Sequence, residues 1–195
     1  MSKGKRRRVR ETEVLRKTAV HVRYELDMLR YATTLLTPVT ASPLSWPSSP
    51  QVSMAMECFL LHYRNLRAFL CPSIHVAREN DAIASDFLGS ETELDFGDTA
   101  SFKADKERLD QMLAHVSYNR DVYIERGDFN WRVADLTAAI LDGFDQFLAT
   151  PIPPTMQGWF PSRQEIERYR AEGSQRFAGL FPIHGLPTGP GPRKD

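Results

Sequence analysis

The chain has 195 residues, long enough for one domain whose core needs neither disulfides nor a structural metal. Its 25 basic and 25 acidic side chains balance, which excludes a strong overall attraction to nucleic acid or to a membrane. Six basic residues and no acidic residue fall within the first ten positions, so the rest of the chain carries a net charge of −6.

The first predicted element is a long amphipathic helix. Residues 1–8 are expected to be a basic, flexible tail, and from about residue 9 to residue 36 the apolar side chains recur at helical spacing. Residues 37–50 contain four prolines and are expected to be a linker or an ordered crossover. The predicted inner stripe of the helix consists of Leu15, Ala19, Val22, Leu26, Leu29, Thr33 and Leu36.

The second predicted helix, residues 51–70, is the most apolar segment and is expected to be central. A shorter helix is expected around residues 76–88, followed by an acidic loop over residues 89–99. One face of the central helix is predicted to carry Phe59, His62, Tyr63, Leu66, Phe69 and Leu70.

Three more helices are predicted over residues 104–123, 131–149 and 162–177. Ser162 and Glu165 have the spacing of a capping box at the start of the last one. The stripe of the 131–149 helix is predicted to be Val133, Leu136, Ile140, Phe144 and Phe147.

Taken together, the elements predict an all-α fold, an irregular helical bundle of four strong helices plus one or two short ones. A single helical domain is expected over residues 9–178, and the Pro/Gly-rich residues 179–195 are expected to be a flexible tail. No alternating strand pattern of useful length occurs.

The two cysteines and the apolar runs bear on the compartment. On one helix, Cys58 and Cys71 would lie ~20 Å apart, too far for a disulfide, so free thiols in a reducing compartment are expected. Charged residues follow the basic start where a signal peptide would need an apolar stretch. No run approaches the ~18–20 apolar residues of a membrane span. We therefore expect a cytoplasmic protein with no membrane partner.

Several kinds of chemical site are excluded by the absence of their motifs. The chain has no phosphate-binding glycine loop, no dinucleotide-binding glycine motif, no Cys-x-x-Cys pair and no Glu-x-x-His spacing. The sequence therefore predicts no cofactor and no metal site.

Polar residues on two of the predicted helices are the remaining candidates for a site. Arg120 falls on an apolar stripe and would need a partner, for which Glu57 is the candidate. One interpretation is a structural pair that fixes helix register. Another is a shared pocket in which a histidine acts as acid or base beside an arginine, and a third is that these residues never meet. The candidate network comprises Glu57, His62, Arg64, Asn65, His115, Asn119 and Arg120.

The segment LLHYRNLRAFL and, about 50 residues later, LAHVSYNR resemble helical bacterial proteins and, more loosely, HEPN domains. HEPN domains are helical bundles, and many are ribonucleases of toxin and phage-defence systems with an Arg, a polar residue and a His in their signature. The resemblance covers roughly residues 51–125. It implies a protein associated with RNA or with a defence or toxin–antitoxin system, with Arg64, His115 and Arg120 as catalytic residues and Asn65 and Asn119 positioning them.

The basic start and the polar residues also allow other interpretations. Lys/Arg clusters bind phosphate backbones without reading sequence, so RNA or another polyanion is one expected partner of the tail, and a solvated tail is the alternative. The hypothesis that competes with RNA cleavage is a non-enzymatic interaction module, perhaps homodimeric, whose polar residues only set helix pairing. The tail cluster consists of Lys3, Lys5, Arg6, Arg7, Arg8 and Arg10.

Overall fold

The computed structural model of this chain describes residues 9–40, 50–74, 78–89, 94–113 and 131–174. Throughout these ranges the regular structure is helical and contains no strand, which confirms the predicted all-α class. The α-helices are α1 (Thr12–Thr40), α2 (Pro50–Leu70), α3 (Thr99–Ala104), α4 (Lys106–Leu113), α5 (Val133–Ala149) and α6 (Arg163–Ser174). Short 3-10 helices span Pro72–Ile74, Ala84–Leu88 and Pro154–Met156.

The predicted inner stripes are confirmed on the three longest helices. All seven stripe residues of α1, all six of α2 and all five of α5 are buried, and His62 lies among them as its helical position predicted. Burial of such stripes is the main source of stability for helices of this kind, because exposed helices are marginal in water.

Two predictions about the helices were wrong. The linker was predicted to begin at residue 37, but α1 continues through Pro38 to Thr40. The helix predicted around residues 76–88 is replaced, over its described residues, by a turn and the 3-10 helix Ala84–Leu88. Side-chain carboxylates stabilise this chain path: Asp81 accepts from the backbone of Arg78 at 2.7 Å, and Asp86 from that of Ile83 at 3.2 Å.

The helix predicted from residue 104 begins earlier and has a break. Asp98 caps α3 by accepting hydrogen bonds from the backbone of Ala100 and Ser101, and α4 follows after Asp105. Residues 114–130 lie outside the described part of the chain, so the predicted extension to residue 123 stays a prediction.

Helices α1, α2 and α5 pack against one another around one hydrophobic core. Helix α2 runs antiparallel to α1. Arg10, before the start of α1, donates a hydrogen bond to the carbonyl of Glu79, beyond the end of α2, so the start of α1 lies near the end of α2. At one end of the core six phenylalanine rings contact each other in edge-on or stacked pairs, which add directional contacts to apolar burial. The cluster consists of Phe69, Phe87, Phe96, Phe144, Phe147 and Phe160.

Helix α6 runs parallel to α1 and is connected to it by a ladder of polar contacts. Arg23 pairs with Glu165 at 2.6 Å, the hydroxyl of Tyr169 donates to Asp27 at 3.1 Å, and Arg30 pairs with Glu172 at 2.7 Å. Each contact joins residues 142 positions apart, so the two helices keep one register over two turns. The predicted capping box starts α6: Ser162 and Glu165 exchange hydrogen bonds between side chain and backbone.

Candidate functional site

The polar side chains of α2 separate into two groups on different sides of that helix. Arg64 faces α4, where its Nε lies 3.3 Å from Asp110, and Lys106 contacts the same carboxylate at 2.9 Å. Burial raises the pKa of Asp110, but the hydrogen bond from Lys106 and the charges of Lys106 and Arg64 together lower it by more. The pKa of Asp110 therefore lies below its usual value. This is a paired, half-buried ion cluster.

His62 and Asn65 face α1 instead, where both contact Glu25. Nδ1 of His62 lies 2.6 Å from Oε2 of Glu25, and Asn65 donates its side-chain N–H to the same oxygen at 3.1 Å. The ring of Tyr24 meets the His62 ring edge-on, with 5.9 Å between centroids. Sequence reasoning singled out His62 and Asn65 but missed Glu25, which lies one position from the predicted stripe of α1.

Around this polar group the α1–α2 pair exposes large apolar side chains. On a helical wheel of α1, Val20, Tyr24, Met28 and Tyr31 lie on one side of Glu25, opposite the core stripe. On α2, Met54, Cys58 and Leu61 lie on the corresponding side of His62. Because α2 runs antiparallel to α1, both stripes point the same way. We call these seven residues the outer face.

The exposure of the outer face is unusual for side chains of this size. Tyr24 is 54% exposed, Tyr31 57%, Met54 70% and Leu61 46%. Lys17 and Glu57 lie at its rim. Its centre is apolar apart from the Glu25–His62–Asn65 group and the exposed His21, which lies between Met28 and Glu25 on the helical wheel of α1. Aromatic and Met residues inside a polar rim are the composition of a protein–protein contact. Two seven-residue spacings, Tyr24 to Tyr31 and Met54 to Leu61, are the sequence signal that could have revealed it.

A buried arginine does occur in the core, but at a position that sequence reasoning did not select. Arg67 of α2 is 4% exposed and donates from Nη1 to the carbonyl of Phe102 at 3.1 Å, while its Nε has no hydrogen-bond partner among the described residues. Burial lowers the pKa of Arg67. Beside it, the hydroxyl of Tyr63 donates to Asp105 at 3.2 Å, and burial together with the charge of Asp105 raises the pKa of Tyr63. This group connects α2 to α3 and α4.

Several predicted site residues lie outside the described residues. These are His115, Asn119, Arg120 and the tail residues Lys3, Lys5, Arg6, Arg7 and Arg8. Glu57 is exposed, and its pairing with Arg120 stays a prediction. Of the tail cluster, Arg10 is described, and its guanidinium is bound to the Glu79 carbonyl.

Among the described residues, no group of three or more His, Cys, Asp or Glu side chains is placed to hold a metal ion. In the same part of the chain, no helix is both long and apolar enough to cross a membrane. Both cysteines are free, as predicted. A cavity between α1, α5 and α6, beside the Thr33–Thr137 hydrogen bond, measures about 10 Å³, which is room for no more than about one water molecule.

Compared with known proteins, the chain matches no protein-family model, no curated protein and no solved structure. The arrangement of its own residues therefore carries the functional argument.

Proposed function

We propose that this protein is a non-enzymatic interaction module that forms a homodimer through the outer face. The observation that carries the proposal is the exposure of Tyr24, Tyr31, Met54 and Leu61 on the same side of two packed helices. Exposed apolar patches of a few hundred Å² on a folded protein are often functional surfaces.

The size of the outer face supports a second copy as the partner. From Val20 to Tyr31 the face extends ~17 Å along α1 and, with the neighbouring side chains, ~22 Å. Two packed helices are ~20 Å wide, so the footprint is roughly 450 Å² per copy. Two copies would bury about 900 Å², the size of a weak or transient interface.

The chemistry of the outer face also favours self-association. A two-fold contact places the same patch on both partners, so the patch must be complementary to itself. Apolar stripes meet this condition because they need no opposite charge on the other side. Two antiparallel helix pairs packed face to face form a four-helix bundle, one of the commonest helical arrangements.

Sedimentation velocity on the full chain tests the proposal. Leu61→Asp places a charge in the middle of the outer face and should raise the dimer dissociation constant at least tenfold, about 1.4 kcal/mol. Leu94→Asp is the matched control, because Leu94 is also an exposed leucine, at 38%, but lies in a loop outside the face. Equal dimer fractions for the two variants would refute the proposed interface.

RNA cleavage of the HEPN-like type is the second candidate, favoured by the position of Arg64. Its side chain is 42% exposed and pairs with Asp110, one helical turn before the segment that contains His115 and Arg120. The sequence departs from the HEPN pattern here, because the first histidine after Arg64 is His75. If this function is correct, Arg64→Ala abolishes cleavage of single-stranded RNA while the fold is kept. Intact RNA in the presence of wild-type protein rules it out.

A further inference from the structure

The Glu25–His62 pair lies between the two apolar stripes of the outer face. Its side chains are 24% and 8% exposed, so the pair is largely withdrawn from water before any partner binds. A carboxylate can only accept hydrogen bonds, so the proton of a neutral His62 is on Nδ1. Nε2 has no hydrogen-bond partner among the described residues and is the atom that takes up a second proton.

The charge of this pair depends on the protonation of His62. With a neutral imidazole, the pair carries the full negative charge of Glu25. With an imidazolium, the two charges compensate each other. An unperturbed histidine is the side chain whose charge changes between about pH 5 and pH 8. The charge of the outer face therefore depends on whether His62 is protonated.

Docking of a second copy removes water from the outer face. An uncompensated carboxylate is costly to bury, whereas a hydrogen-bonded pair of opposite charges is less costly. Two equal negative charges in one symmetric contact also repel each other. We propose that protonation of His62 promotes self-association, so that the dimer is tighter in mild acid than in mild alkali. This inference rests on the proposed function, since it concerns the same face.

The neighbouring groups on α2 do not take over this role. Asn65 is neutral. Burial and the charge of Glu25 raise the pKa of Cys58, so its thiol stays protonated at neutral pH. Arg64 lies on the other side of α2, paired with Asp110 of α4. No described residue of α4 or α5 forms an ion pair or a hydrogen bond with His62.

On α1, two further titratable groups lie near the pair. The phenol ring of Tyr24 meets the His62 ring edge-on. His21 is a second histidine, exposed one helical turn before Glu25 on the same side of α1. His21→Gln is therefore the control that separates the two histidines.

The test is the dimer dissociation constant of the full chain, measured by sedimentation at about pH 5.5 and about pH 8. The wild type should dimerise about tenfold more tightly at the lower pH, a difference of ~1.4 kcal/mol. His62→Gln should bind weakly with no pH dependence, because Glu25 stays uncompensated. Glu25→Gln should reverse the dependence, since it leaves only the imidazolium charge in acid. His21→Gln should behave like the wild type.

Each result decides between the two proposals. A wild-type dimer without pH dependence overturns this inference and leaves the proposed function standing, as does a His62→Gln variant that keeps the dependence. If His62→Gln does not fold, by circular dichroism, the sign of the effect in Glu25→Gln decides. A wild-type chain that is monomeric at both pH values and at all concentrations overturns both proposals.

Discussion

Nδ1 of His62 on α2 and Oε2 of Glu25 on α1 lie 2.6 Å apart, and this hydrogen bond joins the two longest helices at their midpoints. Glu25→Ala leaves the buried imidazole and the Asn65 amide without their shared acceptor. An unsatisfied buried donor costs roughly 1–3 kcal/mol, so the free energy of unfolding in urea should fall by that amount.

Glu57→Ala is the matched control, because Glu57 is an exposed glutamate on α2. Its effect on the free energy of unfolding should stay within about 0.5 kcal/mol. Equal losses for the two variants would mean that the Glu25–His62 bond contributes nothing to the pairing of α1 with α2.

Arg67 provides a second test of the core. Arg67→Ala removes the donor to the Phe102 carbonyl and leaves a cavity, for which we expect a loss of about 2–4 kcal/mol in the free energy of unfolding. Nε of Arg67 has no hydrogen-bond partner in the described part of the chain. Arg67→Met fills the same space and removes this buried charge. It should cost less than the alanine variant, because apolar replacement of a buried charge is often neutral. A methionine variant less stable than the alanine variant would contradict this account of Arg67.

Gly143 lies where α5 meets the loop that contains Phe96 and Gly97. A Cβ at residue 143 would lie 2.8 Å from Cδ1 of Leu70 and 3.3 Å from the carbonyl oxygen of Phe96. Gly143→Ala should therefore lower the free energy of unfolding by roughly 1–2 kcal/mol, since overpacking outweighs the better helix propensity of alanine. Gly158→Ala, where a Cβ meets nothing within 4 Å, should be neutral or slightly stabilising in the same urea titration. A stabilised Gly143→Ala variant would contradict this close approach.

Cys71 makes the stability of the protein depend on pH in the alkaline range. Burial raises the pKa of Cys71 from 9.0 to about 11, although a hydrogen bond with Thr99 lowers it in part. Between these two values the thiol ionises in the unfolded chain but not in the folded one. Stability should therefore fall as the pH rises from 9.0 to about 11, with no contribution at neutral pH.

The comparison of wild type with Cys71→Ala isolates this contribution from the other groups that titrate there. The free energy of unfolding of the wild type should fall more steeply between about pH 8 and about pH 10.5 than that of the variant. Parallel curves would show that Cys71 does not contribute.

The sequence predicted those parts of the fold that depend on repeated apolar spacing. The stripes of α1, α2 and α5 were correct residue by residue, and so was the capping box of Ser162 and Glu165, because burial and local hydrogen bonds follow from helical geometry alone. The helix predicted around residues 76–88 was wrong because Asp81 and Asp86 bind backbone groups locally. Single hydrogen bonds of this kind leave no periodic signal.

The site was predicted in part. His62 was placed correctly on the buried face of α2. It contacts Glu25 on α1, a residue that the sequence did not single out. Glu25 lies at the edge of the predicted stripe, and neither spacing nor charge shows which helices will be neighbours. Leu61 lies off the predicted stripe of α2, but only the relative direction of α1 and α2 shows that it shares a face with Tyr24.

The molar mass of the wild-type chain in solution, measured by light scattering over a range of concentrations and pH, tests the central claim most directly. Self-association through the outer face predicts that the mass rises from the 22.2 kDa of a single chain towards twice that value with concentration, and at lower concentration in mild acid. A mass of 22.2 kDa under all these conditions would contradict the account.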